Sequence, residues 1–197
     1  MSGGQYLKAE IVRKTGKNLL SDPLFNKGLG FPRTERDRLG IRGLVPPSTL
    51  DQVEQGEVIM AEYREGWAAR AEKEPDDEII KSGVKPDNIR KWKVLQSLQD
   101  RNETLFYRLL MDNFYEMAPI IYTPTVGWAC SHFSHLYRRP RGMYFCKYDK
   151  GEMASMIYNW ESDEVRYKRG DFLLQLTTSA DMDDIDDMDY MTYMVYN

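Results

Sequence analysis

Only two cysteines, Cys130 and Cys146, occur in 197 residues. That is too few for a disulfide framework and fits a reducing compartment. No apolar run approaches the roughly 18 residues of a membrane span, so a soluble chain without membrane contact is expected. Positive charge is not in excess either: the formal net charge is -4, which argues against a general nucleic-acid binder. The opening Met1-Ser-Gly-Gly has no signal-peptide core and no long Arg/Ser-rich presequence. Lys8, Arg13, Lys14 and Lys17 nevertheless make this end basic, so cytoplasmic and mitochondrial placement both stay open. Histidine is scarce as well. His132 and His135 stand at i, i+3 with Cys130 nearby, but zinc wants three or four convergent ligands, so they read as a satisfied or surface pair.

What is present is enough for a core: 42% of residues are hydrophobic and 29% charged, as in soluble domains. The length suits one domain, or one and a fraction. Residues 5–50 are rich in Gly, Pro and charge, with isolated anchors at Leu19, Leu20, Phe25, Phe31, Leu39, Ile41 and Leu44. Short helical pieces and turns are expected there. Ser48 or Thr49 can cap a helix over about 50–73, with Val53, Val58, Ile59, Tyr63 and Trp67 at roughly helical spacing. Residues 74–87 read as an exposed loop. Asp87 opens a helix to about 99 with Ile89, Trp92, Leu95 and Leu98 on one face, and a second over about 101–117 turns Leu105, Phe106, Leu109 and Phe114 inward.

A shorter helix is expected from Val126 to Tyr137, then an apolar strand over 142–146 and a helix from Lys150 to Trp160. Such a βα opening needs a parallel partner strand, for which Val165 and Phe172-Leu-Leu are the candidates. The fold class is therefore α/β: a mostly helical layer (about 5–137) followed by the start of a truncated parallel sheet (138–165). Residues 166–197 form a divergent tail. Asp181, Asp183, Asp184, Asp186, Asp187 and Asp189 crowd it and no Lys or Arg follows Arg169, so disorder is expected.

Tyr122-Thr-Pro-Thr-Val-Gly127 is the segment with the most chemical promise. The apolar Pro119-Ile-Ile run delivers a phenol into a strand-like-to-helix corner, braced from behind with its hydroxyl outward. A phenol ordinarily titrates near about 10, so it needs a cationic or metal-bound partner to act near neutrality.

Asn26-Lys27-Gly28, Glu35-Arg-Asp-Arg-Leu-Gly-Ile-Arg-Gly-Leu-Val-Pro-Pro47, Asp100-Arg-Asn-Glu-Thr-Leu-Phe-Tyr-Arg108, Pro119-Ile-Ile-Tyr-Thr-Pro-Thr-Val-Gly127 and Arg138-Arg-Pro-Arg-Gly-Met-Tyr-Phe145 occur in order. Together they resemble the N-terminal domain of malic enzyme, from about Ile11 to Val165. Lys150-Gly-Glu-Met-Ala-Ser-Met-Ile-Tyr-Asn-Trp160 looks closest to the plant-type NAD-dependent branch. The family oxidatively decarboxylates malate to pyruvate with NAD or NADP and Mg or Mn. The resemblance implies that Tyr122 is the proton donor to C3 and that Arg101 lies at a dicarboxylate activator site at a subunit interface. It also implies a homodimer, or pairing with a full-length subunit.

The family's Lys base, metal carboxylates and nucleotide-binding domain have no counterpart in this sequence, which reads as truncated. The expectation is a fragment inactive alone, with no cofactor of its own; the alternative is a non-catalytic regulatory partner of an intact subunit. Other motifs carry less. Gly28-Leu-Gly30-Phe-Pro-Arg33 lacks the third Gly and the preceding strand of a dinucleotide fingerprint. Arg138, Arg139 and Arg141 make a weak anion patch near a helix C-terminus, which favours cations anyway. The spaced tail aspartates lack the Gly and Glu of a calcium loop.

Overall fold

A computed structural model describes residues 12–65, 83–141, 144, 149, 151–152, 154–156 and 158–159, together with the backbone of 173–177 and 192–196. Helices dominate these residues. The chain divides into two compact units: Met1–Glu72 with Lys93–Phe114, and Lys73–Trp92 with Tyr115–Asn197.

The first unit is built around a loop-rich N-terminal segment. Short helices Gly16–Leu20 and Arg33–Arg38 flank a 3-10 turn, Gly28–Gly30. Leu19, Phe31 and Ile41 are buried together, with Leu20, Phe25 and Leu39 packed against them. Leu44, expected as an anchor, is 46% exposed instead, because its turn closes on Ile41 through the backbone (Leu44 N to Ile41 O, 3.0 Å) and leaves the side chain outside.

One side chain organises the loop. Arg36 is only 5% exposed. Its Nε donates to Phe31 O at 2.7 Å, Nη1 to Pro46 O at 2.6 Å, and Nη2 to Ser48 O at 2.7 Å and Leu29 O at 3.3 Å. A planar guanidinium with five donors can span carbonyls on both sides of a loop, and here it ties 29–31 to 46–48.

Helix Gln52–Glu65 follows. Neither Ser48 nor Thr49 caps it. Asp51 and Glu54 form the reciprocal box, with Glu54 N donating to Asp51 Oδ1 at 2.8 Å and Asp51 N to Glu54 Oε2 at 2.7 Å. Of the face expected to be apolar, Tyr63 is buried, whereas Val53 and Val58 are each 63% exposed. The buried stripe runs instead through Gly56, Met60 and Tyr63, spaced by three and four. Trp67 lies outside the described residues. Gly56 is where this helix meets Glu103–Asp112: a Cβ there would stand 2.9 Å from Leu109 Cδ2.

Helix Pro86–Arg101 begins with Pro at its first position, where no N–H is needed. It buries Ile89 and Trp92 in the second unit and Leu95 and Leu98 in the first, as the spacing predicts. The next helix is two helices. Asn102 caps Glu103–Asp112 by accepting from Leu105 N at 3.1 Å, and Asn113 separates it from Phe114–Ile121. Leu105, Phe106 and Leu109 are buried, but Phe114 is 55% exposed, since the break at Asn113 resets the helical phase.

In the second unit, Phe114–Ile121 continues from Tyr115 with Met117 and Ile120 buried, then Thr125–Ser131 and Phe133–Leu136 follow, separated at His132. The ring of Tyr137 lies 5.3 Å from Trp92 and stacks on Phe133 at 5.1 Å, and Phe133 meets Tyr144 edge-on at 5.2 Å. Residues 154–156 and 158–159 are helical, within the span expected for a helix.

The parallel sheet is not found among the described residues. Tyr144 is in no strand, and 142–143, 145–146, Val165 and Phe172 lie outside them. Leu173 and Leu174 pair antiparallel with Tyr196 and Val195, in a two-stranded sheet of β1 (Leu173–Thr177) and β2 (Thr192–Tyr196). Antiparallel strands need only a local return, whereas parallel ones need a long crossover and cover on both faces. The expected disordered tail therefore contains both strands; the aspartates of 181–189 lie outside the described residues.

Candidate functional site

Tyr122 sits in the bend between two helices, not after a strand. The Pro119-Ile-Ile run forms the last turn of Phe114–Ile121, with Pro119 inside it. Val126 N donates to Tyr122 O at 3.1 Å and Trp128 N to Pro124 O at 3.1 Å, so the corner is closed by backbone bonds that start the next helix. The Thr123–Pro124 peptide is cis. Directly after the corner, Thr125, Val126 and Ala129 are fully buried, while Tyr122 is 50% exposed. The corner is thus anchored on its inner side and presents the phenol outward. Among the described residues its hydroxyl has no hydrogen-bond partner.

Arg101 ends helix Pro86–Arg101 in the first unit and is exposed. No carboxylate lies within ion-pair distance of it among the described residues. Its neighbours are committed to structure: Asp100 accepts from Gln96 Nε2 at 3.3 Å, Asn102 caps the next helix, and Glu103 N donates to Pro23 O at 2.9 Å. Tyr122 and Arg101 are carried by different units.

The histidines and Cys130 do not converge. His132 stacks on Trp128 (4.2 Å between centroids), and its Nδ1 lies 2.8 Å from the Trp128 carbonyl. His135 Nδ1 faces Ser134 Oγ at 3.3 Å. Cys130 Sγ approaches Tyr137 Oη at 3.9 Å. Burial pushes the Cys130 thiol up to about 11, partly offset by the Tyr137 hydroxyl, so it is neither a nucleophile nor a ready metal ligand. Burial also raises Tyr144, with Cys130 adding to the effect.

Among the described residues no three His, Cys, Asp or Glu side chains are grouped to hold a metal. The Gly28–Gly30 turn is not free to cradle a phosphate: Gln55 Oε1 accepts from Leu29 N at 3.3 Å and lies 2.9 Å from where a Cβ at Gly28 would stand. The described residues therefore do not fit a divalent metal or a dinucleotide. The first unit does hold a cleft of about 680 Å³ lined by Leu19, Phe25, Phe31, Lys27, Arg38 and Asn102 among others. Sequence reasoning missed Arg36, Asn102 and the Asp51–Glu54 box. Only the last had a readable signal, the D-x-x-E spacing ahead of a helical pattern. No helix among the described residues is long and apolar enough to cross a membrane.

Residues 99–168 match the family model described as malic enzyme, N-terminal domain. The potato (Solanum tuberosum) NAD-dependent malic enzyme 59 kDa isoform, mitochondrial, is 51% identical over 155 residues, covering 79% of this chain and 24% of that protein. The Arabidopsis thaliana NAD-dependent malic enzyme 2, mitochondrial, is 52% identical over 155 residues, with the same coverage of 79% and 24%. The human NADP-dependent malic enzyme, mitochondrial, is 39% identical over 155 residues, covering 79% of this chain and 22% of that protein. The chain spans about a quarter of the length of these relatives. Over residues 99–168 its sequence is that of the malic enzyme N-terminal domain.

Proposed function

We propose that this chain supplies the helical N-terminal part of a malic enzyme and that, as a lone polypeptide, it does not oxidise malate. The observation that carries this reading is Tyr122 at a backbone-closed corner, half exposed and without a partner among the described residues. Tyr122 is the group that would pass its phenolic proton to C3 of the enolate left when malate has lost hydride and carbon dioxide. Such a donor contributes only when a positioned base and charge stabilisation share the site. A divalent metal would stabilise the enolate and NAD or NADP would accept the hydride; the described residues fit neither group, and this reading assigns both to other polypeptide.

The relatives' names support a mitochondrial setting and either nicotinamide coenzyme for the assembled enzyme. The test is an assay of the purified 197-residue chain with malate, Mn²⁺ and NAD⁺ or NADP⁺. No reduced coenzyme is expected; steady turnover that scales with chain concentration would overturn the proposal.

A second reading, that of an interaction partner of a complete malic enzyme subunit or of a second copy, is favoured by one feature. Met111 and Phe114, on either side of the helix break at Asn113 at the end of the first unit's last segment, are 71% and 55% exposed, as residues of a contact surface would be. Co-expression with a plant-type NAD-dependent malic enzyme should then give a mixed oligomer with altered kinetics. A chain that elutes as a monomer and ignores that enzyme removes this reading.

A further inference from the structure

We infer that Thr49 is a phosphorylation site whose phosphoryl group is held by the Arg36 guanidinium, locking the loop of residues 46–50 onto the first unit. Arg36 is a buried cation with no counter-ion among the described residues. Among the described residues no carboxylate lies within ion-pair distance of it: the flanking Glu35 pairs with Lys27 at 2.9 Å and Asp37 with Arg42 at 3.0 Å. Of the described residues, carbonyl dipoles and one hydroxyl solvate it. That hydroxyl is Thr49 Oγ1, 3.4 Å from Nη2. Thr49 is itself exposed, in an irregular segment after Pro46-Pro47, so the side-chain partner that the described residues give this charge is one an enzyme can reach.

A phosphothreonine carries roughly -1.5 to -2 charge near neutrality and three strong acceptors. Placed there, it supplies an anion beside Nη2, the donor that already faces Thr49 Oγ1, and lies just ahead of the N-terminus of helix Gln52–Glu65, whose dipole favours negative charge. Asp51 and Glu54 oppose it, but both are exposed and each accepts a backbone N–H of the capping box. The reaction needs ATP and a protein kinase. The γ-phosphorus bond to the bridging oxygen of ADP breaks, the bond to Thr49 Oγ1 forms, and the hydroxyl proton leaves to the kinase's base.

The test uses the full chain carrying phosphothreonine at position 49, followed by ³¹P NMR across pH. The second phosphate pKa should fall by about one unit from its ordinary value of about 6, and return to that value in concentrated urea. The melting temperature at pH 7.5 should rise above that of the unmodified chain. A phosphate pKa at or above the urea value, or a lowered melting temperature, would overturn the inference, because repulsion from Asp51 and Glu54 would then outweigh Arg36. In protein from its natural source the tryptic peptide 43–64 should carry phosphate on Thr49; phosphate confined to Ser48, or none in any growth condition sampled, would refute the modification itself.

Discussion

Replacing Arg36 with Met keeps the length of the side chain and removes its charge and all five donors. Three of its hydrogen bonds are short, to Phe31 O, Pro46 O and Ser48 O at 2.7, 2.6 and 2.7 Å. Bonds from a charged donor contribute about 1.5–3 kcal/mol each, and a buried acceptor left unpaired costs about 1–3 kcal/mol. Two terms reduce the sum. Pro46 and Ser48 belong to exposed residues whose carbonyls regain water, and Met no longer has to be stripped of the hydration a guanidinium carries, a penalty of several kcal/mol. The net expectation is a loss of about 3–4 kcal/mol, or roughly 6–15 °C in melting temperature for a chain of this size. Arg36→Lys should recover less than half, because one ammonium cannot reach carbonyls on both sides of the loop. Urea unfolding followed by far-UV circular dichroism, at fixed protein concentration, reads the change. A Met variant within about 1 kcal/mol of the parent, with an unchanged urea slope, would refute the role given to Arg36.

Gly56→Val should destabilise by about 1–3 kcal/mol in the same assay, because Leu109 Cδ2 stands 2.9 Å from where the first carbon would go. Gly56→Ala should stay within about 1 kcal/mol of the parent, since the strain of a movable Leu tip is set against the gain of Ala in a helix. Asn102→Ala removes the cap on Leu105 N and should cost about 1 kcal/mol, with amide exchange rising first in residues 103–106. Cys130 gives a pH signature. Its folded pKa is raised from 9.0 to about 11, so the unfolded chain loses the proton first. The stability it contributes is whole below pH 9.0 and is lost as pH climbs toward about 11; Cys130→Ala should flatten that decline in melting temperature. Alkylation of folded protein by iodoacetamide at pH 8 should be slow at Cys130 and fast in urea.

The face Ile89, Trp92, Leu95 and Leu98 was legible because a long helix repeats its apolar spacing without interruption. Phe114 continued the same pattern on paper, but Asn113 intervenes and the phase is lost. Pro119-Ile-Ile read as extended for a related reason: three apolar residues have no period of their own, and the helical spacing shows only when buried Ile120 is set beside Met117, three residues earlier. Arg36 was invisible among Glu35, Asp37 and Arg38, since nothing in a run of charges says which one the chain folds over. The start of a parallel sheet is not shown among the described residues. A strand's partner and direction depend on distant chain, and Leu173-Leu174 found an antiparallel one. For the site, the motif located Tyr122 at a corner, but the helices on both sides and the backbone bonds that close it follow from packing.

Deuterium exchange into the methyl group of pyruvate, followed by proton NMR in D₂O, reads the proton transfer assigned to Tyr122 without requiring coenzyme. For the purified chain, with or without Mn²⁺, exchange should run no faster than in buffer, and Tyr122→Phe should not change it. Accelerated exchange that Tyr122→Phe abolishes would contradict the claim that this donor depends on groups from other polypeptide.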